Sequence, residues 1–229
     1  MSPRISSVVA AVIVMTGAAG AMATPPLSVT IDGLSVRGTL PDAAAFCRLT
    51  SATTVAPGPN QSLGVQWSRG PNGTRSYALT MVDPDVPQDL SAMNHADREI
   101  AAGAPRMTFT HWVLTDIPDA MTHLLPGADS EGQATGGKQL GRTTHGVRGQ
   151  NGYASFLQDG AYGGYDGPCP PWNDRRPHRY VVRIYALDLA TLDLSGPFTR
   201  GDMETAMAGH VLASGEASAT YTLNPNLHQ

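Results

Sequence analysis

Cationic residues are scarce and dispersed in this 229-residue chain: fifteen Lys and Arg, nearly all arginine, stand against nineteen Asp and Glu, for a net charge of −4. Without a basic run or a helix-length cationic stripe, no nucleic-acid partner is expected. Cysteine is limited to Cys47 and Cys169, which lack the paired spacing of a structural zinc site. Long apolar runs are missing too. Past the first 23 residues no stretch could cross a bilayer, so no transmembrane segment is expected once that leader is removed.

The leader itself is present. Arg4 gives a positive start, Val8 to Met15 is an apolar run too short for a comfortable membrane span, and Ala21-Met22-Ala23 has the small-x-small pattern of a cleavage site. Residues 1–23 therefore read as a signal peptide and 24–229 as a single exported domain, periplasmic or secreted. At 41% apolar content it is long enough to bury a substantial core. Both cysteines would reach an oxidising compartment, where a bridge between them could stabilise the fold by about 4 to 5 kcal/mol in the chain-entropy model. Sequence alone leaves two separate buried thiols as the alternative.

Along the chain, alternation at Leu27, Val29 and Ile31, the Asp32-Gly33 turn, and renewed alternation at Leu34 and Val36 predict an opening strand or hairpin. Residues Pro41–Ser62 read as an irregular loop and Leu63–Trp67 as a short strand. Tyr77–Val82 is nearly all apolar, a buried strand expected to stop at Asp83-Pro84-Asp85-Val86-Pro87, where two prolines remove backbone donors. After a polar loop from Gln88 to Pro105, with a short helix over Asp97–Ala102, Met107–Ile117 reads as a strand. Its alternation places Phe109, His111 and Val113 on one face and Trp112 and Leu114 on the other. The seven glycines of Pro118–Gln150 suggest a long surface loop. A strand follows within Asp166–Asp188. Asp202–Val211 has helical spacing, with Asp202 as its cap, and Ala217–Leu223 closes the chain as a strand. The proline-rich turns suggest cis bonds at Asp83-Pro84 or Cys169-Pro170.

The chemistry concentrates in three stretches. His178 and Tyr180 are two residues apart on one strand and so share a face. Asp83 and Asp85 end one earlier strand, and His111 lies on the other. Imidazoles titrate near pH 6.5, so His111 and His178 can donate hydrogen bonds to a phosphate and add charge when protonated. Asp83 would orient a histidine or face an ammonium group. Pro170 and Pro171 would form a stiff wall.

TMVDPDVP, then HW with LTDIP, then DGPCPP and PHRYVVRIYALD, and finally GHVLA after a short helix, resemble the phosphatidylethanolamine-binding protein family in its bacterial branch. This family is also known as the Raf kinase inhibitor protein family. The resemblance spans roughly residues 27 to 223. It implies a mainly β fold, with a large antiparallel sheet packed against a smaller sheet and a short C-terminal helix nearby. It also implies a small anion pocket for phosphate groups, including phospholipid head groups, and no common catalytic reaction. Carried over by motif, the pocket residues are Asp83, His111, Pro171, His178 and Tyr180, supported by Asp85 and the Gly167–Pro170 turn that contains Cys169. A partner protein inhibited by occlusion is a family-level expectation. The chain departs from the family pattern at Gly58–Leu63, which matches a serine-proline-leucine run only loosely, and in inserts at Gln88–Pro105 and Arg175–Pro177.

Two other function classes compete. Asp83, His111 and His178 could ligate zinc or iron in a metal-dependent hydrolase. Alternatively, the loops at Gln88–Pro105 and Pro118–Gln150 could contact another protein. Gly132–Lys138 resembles a P-loop, but Gln139 stands where Ser or Thr would reach magnesium and no apolar strand precedes it, so the sequence implies no cofactor.

Overall fold

The structure is a computed structural model that describes residues 25–227; the signal-peptide reading lies outside the described residues. The chain folds through β1 (Val29–Ile31), β2 (Cys47–Ser51), β3 (Thr54–Pro57), β4 (Val65–Trp67), β5 (Ser76–Pro87), β6 (Arg106–Pro118), β7 (His123–Leu124), β8 (Gly141–Arg142), β9 (Val147–Arg148), α1 (Tyr153–Leu157), β10 (His178–Leu187), α2 (Arg200–Ala206) and β11 (Val211–Tyr221). Six strands form the large sheet in the order β11-β10-β5-β6-β9-β8, and β1-β4-β7 form a smaller one, with β2 and β3 paired as a separate hairpin. Every strand pair is antiparallel. The mainly β fold with a large and a smaller sheet is thus borne out.

Period-two alternation sorts the central strands onto two cores. Tyr77, Leu79 and Met81 of β5, Trp112 and Leu114 of β6, and Tyr180, Val182 and Ile184 of β10 pack with Val65, Trp67 and Leu124 of the smaller sheet. Ala78, Val113, Tyr185 and Leu187 face the other way, onto Phe198, Met203 and Met207 around α2. That helix is capped by Thr199 rather than Asp202. Asp202 sits one turn in and closes a capping box, its carboxylate accepting from the Thr199 N–H at 2.8 Å.

The proline-containing tail of β5 does not end the strand. β10 pairs with β5 only as far as Val82, so beyond that point the strand has β6 alone as neighbour and Pro84 removes no ladder bond on the other side. A register shift between Asp83 and Val86 absorbs the remainder. A second shift sits at His111: Met81 pairs with Trp112 and Val82 with Thr110, leaving His111 as the extra residue. The bulge turns His111 off the expected alternation. It packs against Tyr180 on the Trp112 side of the sheet, opposite Val113, contrary to the face assignment made from spacing.

Several local readings are corrected. Pro41–Ser62 contains the β2-β3 hairpin, and Pro118–Gln150 contributes β7, β8 and β9. Asp97–Ala102 forms no helix, and Leu34 and Val36 form no strand, Val36 being fully exposed. No cis peptide bond occurs among the described residues, at Asp83-Pro84, Cys169-Pro170 or elsewhere.

Candidate ligand pocket

The end of the large sheet where β5, β6 and β10 lose their common pairing holds a cavity of about 230 Å³. Its buried depth comes from Asp83, His111, Tyr153, Pro170, Pro171, His178 and Tyr180, and Cys169 adds to the wall. Two exposed lining residues, Met107 on β6 and Phe156 on α1, mark its mouth, with Leu90 and Met93 of the β5-β6 loop beside them. The sequence-predicted residues Asp83, His111, Cys169, Pro171, His178 and Tyr180 therefore come together. Asp85 does not line the cavity. Its carboxylate accepts from the Arg176 guanidinium and from the Arg179 N–H, each at 3.0 Å.

The wall formed by residues 167–171 is strapped from behind. A side chain at Gly167 would collide with the carbonyl oxygen of Ala44, so only glycine lets the turn approach that closely. The Pro168 carbonyl accepts from the N–H groups of Phe46 and Cys47. Cys47 and Cys169 form a disulfide across 122 residues of sequence, which ties this wall to β2 and answers the question the cysteine count left open.

His178 is the most constrained group. Its Nδ1 lies 2.6 Å from Asp83 Oδ2 and its Nε2 3.1 Å from Asp174 Oδ2, and all three side chains are almost completely buried. Burial alone would push the ring down, but the hydrogen bonds to Asp174 and Asp83 reverse this and raise its pKa to about 9. Near neutrality it is an imidazolium that donates from both nitrogens. Asp174, in turn, accepts both guanidinium nitrogens of Arg106 and the Arg176 N–H. Burial raises the Asp174 carboxyl, while its bonds to His178 and Arg106 bring it below its ordinary value. Arg106 also donates to the carbonyls of Asp85, Ala101 and Ala104, so the clamp holds the β5-β6 loop in place.

His111 has the opposite character. Burial pushes its ring below the ordinary histidine value. Its Nδ1 lies 2.8 Å from the Asp166 carbonyl oxygen, which fixes the single proton of the neutral ring there and leaves Nε2 as a lone pair. The Asp166 carboxylate is held by Asn60, Asn151 and Lys138, the last at 2.6 Å. Lys138, the P-loop-like lysine of the sequence, is thus committed to a buried ion pair. The Phe109, Tyr153 and Tyr180 rings surround His111 with centroids 5.0 to 5.7 Å away.

Tyr180 completes the wall. Its buried hydroxyl meets no partner at full hydrogen-bond geometry, but the Asp83 carboxylate acts on it as a charge and as a weak acceptor, and burial together with that carboxylate lifts the phenol well above its ordinary value. Among the described residues His111 Nε2 makes no protein hydrogen bond, and neither does the N–H of the half-buried Cys169. The proposed metal trio does not assemble: both His178 nitrogens are committed to carboxylates, and no group of three His, Cys, Asp or Glu among the described residues is placed to hold a metal ion.

Sequence reasoning missed Asp174, Arg106, Asp166 and Tyr153. Asp174 lies four residues before His178 within Asn173-Asp174-Arg175-Arg176, a stretch that resembles solvated loop. Tyr153 was visible only as one of several tyrosines in a glycine-rich segment.

The sequence profile of the family described as phosphatidylethanolamine-binding protein matches residues 35–222. A UPF0098 protein of Aquifex aeolicus is 32% identical over 164 residues, covering 72% of this chain and 75% of that one. UPF0098 protein YbcL of Escherichia coli is 27% identical over 166 residues, covering 72% and 74%. The crystal structure of E. coli YbcL, described as a new member of the mammalian PEBP family, matches with a TM-score of 0.61 at 24% identity, over 86% of this chain and 99% of that one. A putative PEBP homologue from Chlamydia trachomatis gives a TM-score of 0.58 at 22% identity, over 86% and 97%. At that identity the two structures speak for the fold alone. The chain belongs to the phosphatidylethanolamine-binding protein family.

Proposed function

We propose that the protein is an exported, non-catalytic binding protein that receives a small anionic ligand, a phosphate or a phospholipid head group, in the pocket at the end of β5, β6 and β10. One observation carries this reading: Asp83, His111, His178, Tyr180, Pro170 and Pro171 close around one cavity of about 230 Å³ at the end of the central strands, and His111 Nε2 makes no protein hydrogen bond there. A concave, largely apolar cavity with a few convergent polar groups is the usual form of a small-ligand site. The clamp around His178 supports a preformed site, because the side chains beneath the wall are already fixed by hydrogen bonds. Asp83 supports a zwitterionic ligand, whose ammonium end it would face. The disulfide supports residence in an oxidising compartment.

The test is calorimetric titration of the EDTA-treated protein with phosphoethanolamine, alongside Tyr180→Phe. Saturable binding, weakened about tenfold by loss of one hydrogen bond to a charged group, is expected. Binding that appears only after zinc is restored would overturn the reading.

A further inference from the structure

Asn-Gly occurs twice in the chain, at Asn72-Gly73 and Asn151-Gly152, and the fold treats the two pairs in opposite ways. In such a pair the glycine backbone nitrogen can attack the asparagine side-chain amide, because no Cβ on the glycine hinders the approach. The reaction needs two freedoms: a side-chain amide that can swing towards the backbone, and a glycine N–H that is not already donating.

At Asn151-Gly152 neither freedom exists. Asn151 is buried; its Nδ2 donates to the Gly164 carbonyl at 3.0 Å and to the Asp166 carboxylate at 2.8 Å, and its Oδ1 accepts from the Tyr153 N–H at 3.0 Å. The Gly152 N–H donates to the Thr110 carbonyl at 2.8 Å. Attack here requires the segment to open and give up these bonds first.

At Asn72-Gly73 both freedoms exist. The pair forms the middle of the tight turn that leads from β4 into β5, closed by the Thr74 N–H donating to the Pro71 carbonyl at 3.1 Å. Both residues are exposed, and among the described residues neither the Asn72 side chain nor the Gly73 N–H makes a hydrogen bond. Gly73 stands at φ +94°, a conformation that favours glycine and so keeps the unhindered nucleophile in place.

We propose that Asn72 is a self-modification site, converted by the Gly73 nitrogen through a succinimide to isoaspartate and aspartate. The nitrogen bonds to Asn72 Cγ and loses its proton to solvent, while the Cγ–Nδ2 bond breaks and ammonia leaves. Water then opens the ring: attack at Cγ gives aspartate, and attack at the main-chain carbonyl gives isoaspartate. One water enters and one ammonia departs, with no other reactant. The product adds one negative charge to the net −4 and, as isoaspartate, lengthens the turn by one backbone carbon. Asn72 precedes the start of β5 at Ser76, the opposite end of that strand from Asp83, so the modification marks the turn and leaves the cavity alone.

The experiment follows both asparagines by peptide mapping and mass spectrometry, with the native protein and the reduced protein in guanidinium chloride held side by side at mildly alkaline pH. The unfolded chain gives both pairs the same freedom and supplies their intrinsic rates. In the native protein Asn72 is expected to convert within about tenfold of its unfolded rate, whereas Asn151 should slow by at least about a hundredfold, the scale of opening several buried hydrogen bonds. Gly73→Ala, which places a Cβ beside the attacking nitrogen, should slow Asn72 by at least about tenfold. If that variant misfolds, the native and unfolded rates of the wild type still decide. Native conversion of Asn72 that lags its unfolded rate as far as Asn151 does, or equal conversion of both pairs in the native protein, overturns the proposal.

Discussion

On β10, His178 gives both ring nitrogens to buried carboxylates, while Tyr180, two residues along on the same face, keeps a buried hydroxyl with no partner at full hydrogen-bond geometry. Both line one cavity, yet they do different work. The His178 clamp joins Asp83, Asp174 and Arg106 into a fully hydrogen-bonded base that holds the β5-β6 loop. The wall of Tyr180, Cys169 and His111 is tied down by fewer protein hydrogen bonds, and His111 Nε2 makes none. A buried charge network of this kind contributes through what happens when it is broken, whereas a less tethered wall contributes through what it binds. Substitutions at the two regions should therefore separate stability from binding.

The largest effect is expected at the clamp. Asp174→Ala removes one carboxylate from His178 and the partner of Arg106, leaving buried charge uncompensated, and should cost about 3 to 5 kcal/mol in urea unfolding. A cost below about 1 kcal/mol would mean the clamp is not the base of the fold at this end. Replacing Cys47 and Cys169 with serine should cost about 2 to 5 kcal/mol, since the bridge closes a long loop. It should also weaken phosphoethanolamine binding by loosening the 167–171 wall, so unchanged affinity would place that wall outside the site.

The clamp also predicts a pH window. The folded His178 titrates near 9 against about 6.5 when unfolded, so its contribution is fully present below pH 6.5 and is lost as pH rises through 9. Stability followed from pH 6.5 to 9 should fall by on the order of 2 to 3 kcal/mol from this group, and Asp174→Ala should flatten that slope. His111 runs the other way: its depressed ring is neutral when folded, so its contribution is present above 6.5 and declines as pH falls below that value. The smallest effect on stability belongs to the wall. Tyr180→Phe removes a hydroxyl without a well-formed hydrogen bond and should leave unfolding within about 1 kcal/mol of the wild type, or stabilise it, while weakening binding. Destabilisation comparable to that of Asp174→Ala would erase the distinction between the two regions.

The same comparison explains what could be read from the sequence. β5, β6 and β10 announce themselves by apolar runs, and DPD, HW, DGPCPP and PHRY name most of the cavity wall because motif residues keep their spacing along strands. Contacts that depend on bulges and loops are not written in local pattern. The bulge at His111 depends on the register of β5 against β6, which moves the ring to the Tyr180 side. Pro84 looks like a strand terminator until the pairing of β5 with β10 is known to end at Val82. Asp174, in a polar loop, and Arg106, the first residue of β6, look like solvated charges until the fold brings them together and buries them. That burial commits His178 to the clamp, where spacing alone had offered it to the ligand.

The most direct test of the division between clamp and wall is an NMR titration of the EDTA-treated protein with phosphoethanolamine, followed at the imidazole nitrogens and the Cys169 amide. The account predicts saturable shifts at His111 Nε2 and the Cys169 N–H, with His178 doubly protonated and little changed throughout. If the largest shift instead falls on His178, with His111 and Cys169 silent, the clamp is the binding group and the account is contradicted.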